Sequence, residues 1–241
     1  MIQYFGISDV GCARTSNEDS FALEPELGLF VVADGMGGAQ AGERASRLAI
    51  ETITKSVREA MPNRSLESLV QAVRAANSYI LQQASTDPEL HGMGTTVVAV
   101  LLDLPLAHIA SVGDSRLYLL RNGQLHRITS DQTWVNEIGR SLGLTEEQIH
   151  SHPFRNVLTM SVGARERIEV RSHELSLEAG DLLLLSSDGL HGVVNETEMA
   201  EALAADSSLS KKAALLIEKA RTNGGPDNIT AVLIENASGE G

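Results

Sequence analysis

The most apolar stretches of this chain run straight into, or out of, an aspartate, and that pattern limits its possible folds more than any other feature. Residues 29–33 lead to Asp34, 108–113 to Asp114 and 182–187 to Asp188, while Asp227 stands just before the apolar run 229–234. Short apolar runs bounded by turn residues read as strands covered on both faces. One aspartate at such a place is ordinary turn chemistry, because Asp-Gly is a common turn pair and Asp caps its own backbone. Four together need a further reason. If the strands share packed sheets, their ends meet at one rim, where unpaired carboxylates repel and raise one another's pKa until a cation neutralises them.

The order of patterns supports such sheets. Strand-like runs at 2–8 and 27–34 precede two helical patterns, one through Ala41, Ala45, Leu48, Ala49, Ile53 and Val57, the other through Leu66, Leu69, Val70, Val73, Ile80 and Leu81. Runs at 94–103, 106–114, 115–120 and 124–128 follow, with Asn122-Gly123 as a hairpin signal between the last two. Further strands are expected at 168–175, 181–188 and 228–235, and helices at 196–204 and 208–222. Residues 131–166 are polar, carry a capping box at Thr145 and Gln148, and read as an excursion over the surface. Strands group with strands and helices pair, so the expected class is α+β: a four-layer α-β-β-α sandwich, two central mainly antiparallel sheets between helix pairs. No linker or repeat divides the chain, and residues 1–241 are read as one domain.

A formal charge of −13 with no basic run argues against nucleic acid or an anionic membrane as partner. The single cysteine, Cys12, excludes an intrachain disulfide and a thiolate zinc site, and is read as a small buried residue. The N-terminal residues lack the features of a signal peptide and no apolar stretch is long enough for a membrane helix, so a cytoplasmic location is expected. An all-carboxylate site suits Mg²⁺ or Mn²⁺. Two such ions bridged by one carboxylate can hold a hydroxide at neutral pH. They would also invert the local potential and draw a phosphate group to an anionic protein. Glycines 35, 37 and 38 would let the backbone approach a metal, with the Gly35 carbonyl as a possible ligand. Arg14 is the candidate phosphate partner, since a guanidinium matches phosphate oxygens bidentately. Read alone, the segment would make Arg14 a surface residue paired with Glu18 four residues on.

Seven segments in order, RTSNED (14–19), VADGMGG (32–38), GMGTT (92–96), VGDSR (112–116), ITSD (128–131), SSDGL (186–190) and GGPDNIT (224–230), resemble the metal-dependent Ser/Thr protein phosphatases of the PPM or type 2C family, in a compact bacterial form. The resemblance spans nearly the whole chain. It implies hydrolysis of phosphoserine and phosphothreonine by in-line attack of a metal-bridging hydroxide, without a phosphoenzyme. It implies two Mn²⁺ or Mg²⁺ ions in the core site and a third that bacterial members often carry. Asp34 would bridge two metals, Gly35 would give its carbonyl to the first, and Asp188 and Asp227 would complete the second. Glu18 and Asp19 would act through metal-bound water, Asp114 would serve the third metal with Asp188, and Arg14 would bind substrate phosphate. The excursion at 131–166 would be the flap beside the site. Substrates would be phosphorylated Ser/Thr proteins, a Ser/Thr kinase or its targets, and nothing calls for more than a monomer.

The chain departs from the family pattern at Met36, where many eukaryotic members have His, and at Ala39 and Gln132, where many bacterial members have His. The general acid is therefore open, with His191, His152 and His91 as candidates and metal-bound water as an alternative. Two rival functions share the fold: a sensor without turnover, whose mark would be loss of Asp34, Asp188 or Asp227, and a hydrolase of small phosphomonoesters.

Overall fold

The computed structural model describes residues 1–139, 142–145, 147–148 and 152–237. In chain order the elements are β1 (Ile2–Asp9), β2 (Asp19–Glu24), β3 (Leu29–Met36), α1 (Ala39–Ala60), α2 (Leu66–Thr86), β4 (Gly94–Thr95), β5 (Val97–Asp103), β6 (Leu106–Val112), β7 (Arg116–Arg121) and β8 (Gln124–Arg127). After the excursion come β9 (Arg171–Ser176), β10 (Leu182–Ser186), a single turn α3 (Asp188–His191), α4 (Glu196–Ala204), α5 (Leu209–Thr222) and β11 (Ile229–Asn236).

Unbroken apolar runs become strands because both faces of each find cover. In β3, Leu29, Val31 and Ala33 pack beneath α1 and α2, while Phe30 and Val32 point to the opposing sheet. β10 divides the same way: Leu182 and Leu184 meet α4 and α5, and Leu183 and Leu185 join the layer between the sheets. Antiparallel pairing orders one sheet β1-β11-β10-β7-β8 and the other β2-β3-β5-β6-β9, with β4 on the end of β3. The result is the expected α-β-β-α sandwich, with a core between each pair of layers. Among the described residues no helix is long and apolar enough to cross a membrane.

Local signals decide several boundaries. Asn122 and Gly123 adopt φ of 53° and 76° between the paired Arg121 and Gln124, the left-handed pair that a two-residue hairpin requires. Ser65 with Ser68 and Asn195 with Glu198 cap α2 and α4 reciprocally. The run expected as one strand over 94–103 is broken at Thr96. Its amide donates to Asp34 O at 2.8 Å, which separates β4 from β5. β9 starts at Arg171, later than the apolar pattern from 168, because Ile168 and Val170 pack against the core under the helices instead of pairing.

The 131–166 excursion is rooted at both ends. Thr95 and Val162 exchange backbone bonds of 2.9 and 2.8 Å, and Thr159 N–H donates to Gln132 O at 2.9 Å. Thr145 and Gln148 make the reciprocal capping bonds, at 2.8 and 3.3 Å, though part of the helix they would open lies outside the described residues. Trp134 stacks on His152 with ring centroids 4.6 Å apart and meets Phe154 edge-on. The aromatic residues thus pack on one another. Asn77 of α2, 1% exposed, clamps the exit of the excursion: Oδ1 accepts from Gly163 N–H at 2.8 Å and Nδ2 donates to Arg165 O at 3.0 Å. Asn77→Ala leaves these buried groups without partners. It should cost about 1–3 kcal/mol in urea unfolding, and a loss within error of zero would show that the clamp carries no stability.

Candidate metal centre

Strand pairing decides which carboxylates meet. Asp19 opens β2 and lies opposite Asp34 on β3. Asp34 sits inside β3, not at its end, because Gly35 and Met36 continue to pair with Thr95 and Gly94. Asp114 occupies the turn from β6 to β7. Asp188 is the first residue of α3, after Ser187 as N-cap, and so stands on a helix and not in a strand-end loop. Asp227 lies between α5 and β11. Asp34, Asp114, Asp188 and Asp227, with Arg14, Glu18 and Gly35, line one cavity of ≈ 530 Å³. Each sheet contributes to it.

Asp34, Asp114 and Asp188 are largely enclosed by protein yet keep an edge on the cavity, and their raised pKa values record the crowding. Burial, then repulsion from Asp19, Asp188, Asp114 and Asp227, holds Asp34 well above the usual carboxylate range. Burial and the Asp188 charge push Asp114 up to about 8. Asp188 is raised by burial and by Asp227, partly offset by a hydrogen bond from Asp34. Asp19 is pushed up to about 7 by burial, although Ser187 and Thr230 both donate hydroxyl bonds of 2.7 Å to its Oδ2. Burial also raises Glu18, whose carboxylate lies against Gly42.

The donor chemistry fits a hard divalent ion. Asp19 Oδ1 and Asp188 Oδ1 are buried with no hydrogen-bond partner, and no basic group neutralises Asp34 or Asp114 by direct contact among the described residues. Mg²⁺ and Mn²⁺ take carboxylate oxygens and keep several waters. Among the described residues no three His, Cys, Asp or Glu side chains close into a compact cage, so the carboxylates form the walls of an open cavity.

The remaining predicted residues fall into place with some differences. Arg14 donates from Nη2 to Asp227 Oδ2 at 2.8 Å, so its ionic partner is Asp227 and not Glu18. Gly35 lines the cavity, but what demands a glycine there is α1: a Cβ would stand 2.0 Å from Gly42 O and 2.8 Å from Glu18 O. Cys12 is exposed, contrary to expectation. Its backbone is drawn to Gly225 O at 2.7 Å, which turns the thiol out toward a groove between β1 and α5. His191 lies beside the cavity walls with Nδ1 2.9 Å from Ser186 Oγ, and burial plus the charge of Arg116 hold it well below its usual pKa. A neutral imidazole makes a poor proton donor. His152 is occupied by Trp134 and by a 3.1 Å bond from Phe154 N–H, and His91 is exposed at the end of a 3₁₀ turn. None of the three lines the carboxylate cavity itself.

Three further residues shape the site: Thr96 and Asn228, which fall within the GMGTT and GGPDNIT segments, and Asn156, which falls in none of the seven. Thr96 accepts from Asp34 N–H at 3.1 Å and bonds Ser115 Oγ at 2.6 Å. Asn228, next to Asp227, staples the turn that carries Arg14: it accepts from Glu18 N–H at 2.8 Å and donates to Val10 O and Ser16 O. Asn156 brings the excursion to the cavity rim.

Comparison with known proteins agrees with this geometry. Residues 13–233 match the family model described as "Protein phosphatase 2C". The chain belongs to the protein phosphatase 2C family. It is accordingly a metal-dependent phosphoprotein phosphatase. It is 37% identical over 235 residues to the serine/threonine phosphatase stp of Listeria welshimeri, covering 95% of this chain and 93% of that protein. The crystal structure of the Mycobacterium tuberculosis serine/threonine phosphatase PstP/Ppp superposes with a TM-score of 0.91 at 38% identity, covering 98% of this chain and 99% of that one. The PstP catalytic domain in complex with two manganese ions superposes with a TM-score of 0.88 at 36% identity, over the same shares of the two chains.

The raised pKa values of Asp19 and Asp114 fix the sign of a pH effect in this phosphatase. Asp19 and Asp114 hold protons in the folded state, to about 7 and about 8, that the unfolded chain releases near the ordinary value of about 4. Without divalent ions, the contribution of these two groups to stability is therefore fullest below about pH 4 and declines as pH rises to about 8. Ions that bind the folded carboxylates counter the decline. Thermal midpoints in EDTA should fall between about pH 6 and pH 8, and the gain on adding Mn²⁺ should be larger at the higher pH. A metal-free midpoint that climbs over this range would contradict the carboxylate cluster.

Proposed function

We propose that this serine/threonine phosphatase hydrolyses phosphoserine and phosphothreonine in the carboxylate cavity, with Mn²⁺ or Mg²⁺ held by Asp34, Asp188 and Asp227. The observation that carries the reading is the set of mutually repelling carboxylates on one cavity, with a guanidinium beside them. In the same proposal Gly35 lends its carbonyl, Asp114 serves a third ion, and Glu18 and Asp19 act through water. When bound, the ions supply Lewis acidity toward the phosphoryl group and lower the pKa of water so that it can attack at neutral pH.

Arg14 has the substrate role. Its bond to Asp227 uses Nη2 and holds the guanidinium at the cavity, leaving the rest of the fork for phosphoryl oxygens. Charge builds on those oxygens in the transition state, where a fixed guanidinium contributes most. Asn228 keeps the Arg14 turn in register with Asp227. The leaving alkoxide takes its proton from water in the cavity, since neither His191 nor His152 is poised to give one. The enzyme is proposed to act in the cytoplasm, as a monomer, on a Ser/Thr kinase or that kinase's targets.

The direct test is turnover of a phosphothreonine peptide during a Mn²⁺ titration. Activity should vanish in EDTA and fall by at least roughly 10²-fold in Asp188→Asn. Because Asp188 repels its neighbours, Asp188→Asn should not lower the metal-free melting temperature. Turnover of the variant at the wild-type rate would sink the assignment. Preference for a sugar phosphate over the peptide would turn the enzyme into a small-phosphomonoester hydrolase. Arg14→Lys keeps the charge but loses the fork, and should lower kcat/KM by about 10- to 100-fold, the value of a hydrogen bond to a charged group. An unchanged kcat/KM would remove Arg14 from the phosphate.

A further inference from the structure

Gln132 joins two walls of the cavity. Its backbone N–H donates to Gly113 O at 2.9 Å and its side-chain Oε1 accepts from Gly113 N–H at 2.8 Å. Both polar groups of the residue before Asp114 are thus bound by one partner. The other half of the amide donates from Nε2 to Glu169 O at 3.0 Å, and the Gln132 carbonyl accepts from Thr159 N–H at 2.9 Å. The side chain is 1% exposed, so each of these bonds is shielded from water.

Gly113 has no slack of its own. It sits at φ +94°, and Thr96 Cγ2 lies 2.8 Å from where a Cβ would be. Beyond Asp114, Ser115 Oγ is tied to Thr96 Oγ1. The backbone that aims the Asp114 carboxylate is therefore held on both sides. On the excursion side, Thr133 bridges Leu158, and residues 156–158 line the same cavity.

We propose that Gln132 is a positioning residue that couples the placement of the excursion wall at 156–158 to that of Asp114. One buried amide then sets both the ion affinity at Asp114 and the width of the cavity mouth. The inference rests on the reading of Asp114 as a metal ligand. Residues that orient metal ligands typically change affinity by 10- to 100-fold when removed.

The test is Mn²⁺ binding, counted by the paramagnetic resonance of the free ion, on the wild type, Asp114→Asn and Gln132→Met. The wild type should bind a weaker equivalent that Asp114→Asn loses. Gln132→Met should weaken that equivalent by roughly 10- to 100-fold and leave the tighter ones unchanged. It should also raise KM for a phosphothreonine peptide more than KM for p-nitrophenyl phosphate. A merely structural role would lower the melting temperature and leave the ion affinities of the folded protein at wild-type values. That result, with Asp114→Asn still losing an equivalent, overturns the proposal alone. Binding by Asp114→Asn identical to wild type overturns the reading of Asp114, and the proposal with it. If Gln132→Met does not fold, Gln132→Asn carries the test, because its shorter amide cannot reach Gly113 and Glu169 together.

Discussion

Like charges held within one cavity push each other apart, and the rest of this fold is what keeps them there. Asp34 feels Asp19, Asp188, Asp114 and Asp227 at once, in a setting where burial already disfavours charge. Such a cluster is a standing cost to the metal-free chain. It is offset elsewhere, by three apolar layers whose strands are covered on both faces. The cost also has a use. A site that gains stability when divalent ions arrive is a site that selects for them.

Rigidity at the cavity comes from small polar groups and not from the carboxylates themselves. Thr96 joins the strand of Asp34 to the turn of Asp114 through two short bonds. Ser187 and Thr230 hold Asp19 by one oxygen and leave the other bare. Asn228 and Gln132 do for the Arg14 turn and the 131–166 excursion what a disulfide does in other proteins, joining segments far apart in the chain. Amide and hydroxyl bonds of this kind are directional, so they fix where a charge points without adding charge.

The sandwich was legible because its cause is local. The unbroken apolar runs in LFVVAD and LLLLS show in the residues, and a strand covered on both faces is enough to explain them. The cluster of aspartates could be inferred once the strands were read as sharing sheets. What stayed hidden depends on partners remote in sequence. Nothing in the neighbourhood of Gln132 reveals that Gly113, 19 residues earlier, takes its side-chain oxygen. The exposure of Cys12 follows from where α5 places Gly225. Histidines near the motifs stayed open as proton donors because spacing says nothing of burial, and burial holds His191 well below its usual pKa. Asp34 was read as ending its strand because hydrophobicity stops there, whereas backbone pairing with β4 does not.

The pairing of β1 with β11 sets the order in which the centre can be made. Arg14 and Asp227, which touch at the cavity, are 213 residues apart, and the strands beside them, β1 and β11, are the first and last in chain order among the described residues and neighbours in one sheet. A chain cut short before residue 227 lacks Asp227, the Asn228 staple and the strand on which β1 pairs. Long-range pairing of this sort is also slow to form, because loop closure must precede any gain from contact. Such a shortened chain keeps Asp34, Asp114 and Asp188 but offers Arg14 no Asp227 partner, so the cavity wall closes only when the last strand is in place.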